Sequence, residues 1–258
     1  MTTVAPTHLT TAPARSSEPS AMLRWAFYLF MASLPFESLV YYFLPRELLG
    51  WASTPRLVAP VLVFAFLVDV RMRPWRGSPI MSWLVVLLLV YIVRGALDGA
   101  QFGNAFRYVQ FLVEFTICYN LFLHPRTTNN AMTAYLVAAT ITGLSIVSGL
   151  AVDPEFLEIT GRARAFHEDP NVLGKMLVVG ILFALGLAHA KRYPTRIPKP
   201  VLWGAAAVMT VAIAWSGSRG MSLSLVASLL AFSLAKGSTW RRAAAVVVAV
   251  AAVATAGW

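Results

Sequence analysis

VLWGAAAVMTVAIAWSGSRGMSLSLVASLLAFSLA, residues 201–235, is the stretch that decides the fold. Two uncharged apolar segments flank Gly217-Ser218-Arg219-Gly220. At a rise of about 1.5 Å per helical residue this stretch reaches roughly 52 Å, less than two crossings of about 30 Å of hydrocarbon. The turn is therefore expected in, or just below, one membrane interface. An arginine held at that depth is costly unless it is paired, faces a water-filled cavity or is used.

The rest of the chain follows the same pattern. Of its 258 residues 58% are hydrophobic and 12% charged, far from the composition of a soluble domain. The apolar residues come in blocks of membrane-crossing size. Candidate spans cover 22–44, 57–70, 79–97, 105–123, 131–151, 171–190, 201–217, 220–235 and 243–258. The second, seventh, eighth and ninth are short, which leaves room for a re-entrant segment. The expected fold is an all-α, polytopic transmembrane bundle of about nine spans over 22–258, with no separate soluble domain. Residues 1–21, rich in Thr, Ser, Pro and Ala, read as a disordered cytoplasmic tail.

The net charge of +10 does not mark a nucleic-acid surface, because the basic residues are scattered through short segments between apolar blocks. Their distribution reports topology instead. Loops after even-numbered spans hold eleven Lys and Arg, among them Arg71, Arg126, Lys191 and Arg241, against five after odd-numbered spans: Arg46, Arg56, Arg162, Arg164 and Arg219. Basic loops stay on the cytoplasmic side, so the N-terminus is expected inside, with the 152–170 loop and the 217–220 turn outside. Trp51, Trp75, Trp203, Trp215, Trp240 and Trp258 fall near span ends, where indoles settle at the headgroup level. The single cysteine, Cys118, excludes an intramolecular disulfide and a cysteine-based metal site.

Chemistry concentrates at two outward positions. Arg219 either snorkels to lipid phosphates or forms an anion site, for which the guanidinium fork suits phosphate oxygens. Gly217 and Gly220 permit close backbone approach, and Ser218 adds a hydroxyl and a cap for the following helix. The second position is Gly161-Arg162-Ala163-Arg164-Ala165-Phe166-His167-Glu168-Asp169-Pro170-Asn171. Asp169-Pro170-Asn171 is a helix starter. Arg162 and Arg164 would bind phosphate beside Arg219, or pair with Asp153, Glu155, Glu158 and Glu168. His167 is either a general base or a solvated loop residue. Lys175, one turn into the sixth span, adds charge to the same cavity or snorkels. Glu37 and Glu114 are expected to face the bundle interior, Glu114 in an ion pair with another span. No nucleotide loop, zinc spacing or Ser-His-Asp arrangement is present.

An outward GRARAFHEDPNVLG leading into a span, followed one hairpin later by SGSRG, resembles the O-antigen ligase and polysaccharide polymerase family of the bacterial inner (cytoplasmic) membrane. The resemblance is carried by 150–235 and elsewhere rests on hydropathy. It implies an inverting, metal-independent glycosyltransferase without a cofactor, acting at the outer face in cell-surface polysaccharide or lipopolysaccharide biosynthesis. The donor would be an undecaprenyl-pyrophosphate-linked glycan, and the acceptor another glycan or lipid A-core. Arg219 and Ser218 would engage the donor pyrophosphate, assisted by Arg162, Arg164 and Lys175. Family members carry a large periplasmic loop after the ninth span, which supplies a second arginine and the base, so no catalytic residue is assigned here. A 258-residue chain ending where that loop would begin is expected to be inactive alone. The other readings are a secondary transporter, motivated by Glu37, Glu114 and Lys175, and a non-catalytic membrane assembly subunit.

Overall fold

The computed structural model describes residues 18–37, 53–69, 77–97, 102–150, 152–160, 169–190 and 195–235. These residues are all-helical, in nine α-helices: α1 (Ala21–Ser33), continued by a 3-10 turn at Leu34–Phe36, α2 (Thr54–Val68), α3 (Pro79–Leu97), α4 (Phe102–Phe122), α5 (Pro125–Val147), α6 (Pro154–Thr160), α7 (Pro170–His189), α8 (Lys199–Trp215) and α9 (Arg219–Ala235). Eight of the nine expected spans have a helix; the ninth, 243–258, lies outside the described residues. Two helices, α5 with 23 residues and α7 with 20, are long and apolar enough to cross a membrane. At about 1.5 Å per residue they reach roughly 34 and 30 Å. The short α6 is additional to the expected spans.

The ends of the helices show why they start and stop. Proline opens α2, α5, α7 and α8 within the first two positions, where its missing N–H costs nothing. Ser20 caps α1 through Leu23 N. The chain expected to be tail is thus ordered from Glu18 onward, while 1–17 lie outside the described residues. Span 22–44 is interrupted early, because Pro35 ends the α-helical ladder and the chain passes into a 3-10 turn.

Helices α1, α5, α7 and α8 form the centre. Helix α7 packs on α5, α8 and α9, and α9 lies against α7 far more than against α8. The hairpin expected over 201–235 is therefore opened around α7. Glycines on α7 make this possible. A Cβ added at Gly180 would come within 2.6 Å of Met209 Sδ on α8 and 2.9 Å of Ala139 Cβ on α5, and one at Gly174 would fall on Met221 of α9. Two cross-links place α2 antiparallel to α1: Ser20 N donates to Asp69 Oδ2 at 2.7 Å, and Thr54 N donates to Glu37 O at 2.9 Å.

One end of the bundle gathers Glu18, which pairs with Arg24 at 3.2 Å and with Arg126 at 3.4 Å, and His189, whose ring meets Trp203 and Phe232 edge-on. The opposite end carries the α8–α9 turn and the start of α7. Thr142 Oγ1, fully buried on α5, shares its one hydrogen between Ala138 O at 3.1 Å and Pro35 O at 3.3 Å. Hydroxyls elsewhere return their protons to their own helix: Thr116 to Leu112 O, Thr140 to Leu136 O, Thr210 to Ala206 O and even exposed Ser145 to Ile141 O. That habit suits helices surrounded by apolar material.

Several described helices expose apolar stripes. Val137, Ile141 and Leu144 form an exposed stripe on α5, Trp83, Leu87 and Val90 project from α3, and Leu223 of α9 is 70% exposed. A helix of a soluble protein turns such a stripe inward.

Candidate functional site

Asn171, at the end of the 161–171 motif, meets the 217–220 turn at one end of the bundle. Asp169 begins α7: its carboxylate accepts from Asn171 N at 2.7 Å and its carbonyl accepts from Leu173 N at 3.0 Å, with Pro170 at the first helical position. The helix-starter reading of Asp169-Pro170-Asn171 is therefore correct, and it is also incomplete. The Asn171 side chain makes a second connection, accepting at Oδ1 the Ser218 hydroxyl at 2.7 Å.

Ser218 closes the turn between α8 and α9. Ser216 N and Gly217 N donate to Ala212 O and Ala214 O at 2.9 and 3.1 Å, and the Ser216 hydroxyl returns to Ile213 O at 2.8 Å. Gly217 adopts φ +63°, a left-handed conformation that glycine accepts without penalty after a helix. Ser218 then caps α9, its Oγ accepting from Met221 N at 3.4 Å and its carbonyl from Ser222 N at 3.1 Å. It is 1% exposed. Met221 fills the space over Gly174, so the first turns of α7 and α9 are in direct contact.

Arg219 is the first residue of α9, next to this buried anchor, and is exposed. Lys175 is exposed on α7, four residues beyond Asn171 and so on the same helical face. No acidic side chain among the described residues forms an ion pair with Lys175. Of the five residues expected to bind phosphate, the structure thus brings Ser218, Arg219 and Lys175 to one end of the bundle. Arg162 and Arg164 lie outside the described residues, as do His167 and Glu168. Asp153, offered as a partner for those arginines, caps α6 by accepting from Phe156 N at 3.1 Å.

The two acids expected inside spans do not form a shared feature among the described residues. Glu114 accepts from Gln110 Nε2 on its own helix at 2.9 Å, and the charge of Arg56 on α2 acts on it from a neighbouring helix. Glu37 ends the 3-10 turn after α1, at the level where α2 begins. The residues that follow it, 38–52, lie outside the described residues.

Asn171 is the residue that sequence reasoning missed as part of the site. Its position just after an Asp-Pro starter gave it a local explanation, and nothing in the spacing pointed to a partner 47 residues away. No protein-family model matches the sequence, and neither a curated protein nor a solved structure matches it.

Proposed function

We propose that this chain is a membrane-embedded, polyprenyl-pyrophosphate-binding protein of the O-antigen ligase and polymerase type, acting in cell-surface polysaccharide or lipopolysaccharide biosynthesis. In this reading it crosses a bacterial inner membrane about nine times with its N-terminus in the cytoplasm. The site at the starts of α7 and α9 faces outward. The carrying observation is the Ser218–Asn171 hydrogen bond, which joins the two motifs behind the family resemblance and holds Arg219 and Lys175 at one end of the bundle. The apolar outer stripes of α3, α5 and α9 support a lipid surrounding, since a soluble monomer rarely leaves more than a few hundred Å² of contiguous apolar surface uncovered. The charge asymmetry of the loops supports the direction.

At such a site Arg219 would hold two phosphate oxygens through parallel N–H donors, and Lys175 would contribute a point charge. Negative charge grows on the pyrophosphate as the glycosyl bond to it breaks, so donors placed there stabilise the departing group. The acceptor hydroxyl and the base that removes its proton are not assigned to residues of this chain. Replacing Arg219 by Ala at the chromosomal locus is expected to abolish glycan transfer and to let the lipid-linked donor accumulate. Normal surface glycan in that strain, with the variant present at ordinary level in the membrane, would refute the reading.

A further inference from the structure

Asn171 has two jobs that no other residue in the turn combines. It is the tie between the α8–α9 turn and α7, and it is a neutral group on the same α7 face as Lys175, beside the residue that precedes Arg219. The hydrogen bonds within 212–217 fix the shape of the turn but attach it to nothing else. The Ser218 hydroxyl has its hydrogen committed to Asn171 Oδ1 and one lone pair committed to Met221 N. The position of Arg219 relative to Lys175 is thus set through Asn171, with the Met221–Gly174 contact as the second point of attachment.

Resting on the reading above, we propose that Asn171 is a positioning residue of the anion site, chosen for neutrality as well as reach. Asp at 171 would accept the Ser218 hydroxyl equally well. It would also place a carboxylate beside Arg219 and Lys175, competing with the phosphate for both cations. Asn supplies the same acceptor without the charge, and its Nδ2 adds a donor bonded to no described residue.

The test uses the whole chain reconstituted in nanodiscs, with undecaprenyl pyrophosphate and undecaprenol as charged and uncharged probes. Affinity for each and the unfolding midpoint are measured for the unmodified chain, Asn171→Ala and Asn171→Asp. The unmodified chain prefers the pyrophosphate. Asn171→Asp keeps the unfolding midpoint, because the Ser218 acceptor is retained, yet loses about tenfold or more of that preference. Asn171→Ala loses about threefold to tenfold through a mobile turn. A merely structural asparagine would lower the midpoint without changing the ratio between probes. Retention of the preference within twofold by either variant overturns the proposal, so failure of one variant to fold leaves the other to decide. An unmodified chain that binds both probes equally overturns the functional reading itself.

Discussion

Ser218 has one hydrogen and two lone pairs to place, and the fold uses the hydrogen on Asn171 and a lone pair on Met221 N. Ser218→Ala removes both at a buried position, leaving the N-terminus of α9 uncapped. A loss of about 1–2 kcal/mol in unfolding free energy is expected, read in detergent or bilayer denaturation, and Ser218→Thr should recover most of it. An alanine variant as stable as the parent would mean that the bond contributes nothing. The capping role was legible in the sequence, since a serine preceding an apolar helical run is a local signal. Its partner was not. A contact across 47 residues is created by the packing of α7 against α9, and no local pattern encodes it.

Helices α1 and α2 are joined at both ends by hydrogen bonds that lie outside regular helix. Asp69 is 7% exposed and its carboxylate takes the Ser20 N–H, a charge-assisted bond that is worth more than a neutral one. Asp69→Ala is expected to cost about 1.5–3 kcal/mol, seen as a lower unfolding midpoint, with Asp69→Asn closer to the parent. Equal stability of the alanine variant would show that α1 and α2 are held by apolar packing alone. At this scale most helices were legible from apolar blocks, and α3 agrees at both ends. The misses have physical causes. Averaged hydropathy runs past Pro35, where the α-helix gives way to a 3-10 turn. It also starts α5 late, because polar Thr127, Thr128, Asn129 and Asn130 mask a helix already opened by Pro125. Helix α6 repeats the Asp-Pro start of α7 at Asp153-Pro154 and was readable from it, but at 7 residues it is too short to register as a span.

For the whole molecule the proposal is directional: in it α5 crosses the membrane with Leu123 inside and Leu150 outside. With Cys118 replaced by Ala, Leu150→Cys should react with an impermeant maleimide in intact cells, whereas Leu123→Cys should react only after permeabilisation. Leu150 is 87% exposed and Leu123 also lies at the surface, so neither position is sterically shielded in the chain. The opposite labelling would invert the orientation, and labelling of both in intact cells would deny that α5 spans. The fold makes the site depend on one end of the bundle, where Ser218, Asn171, Arg219 and Lys175 come together. Its function is tested most directly by equilibrium binding of undecaprenyl pyrophosphate to the chain and to its Arg219→Ala variant in nanodiscs. Saturable binding that weakens about tenfold or more in the variant, at an unchanged unfolding midpoint, is the expected result. Equal binding by both, or none by the parent chain, would contradict it.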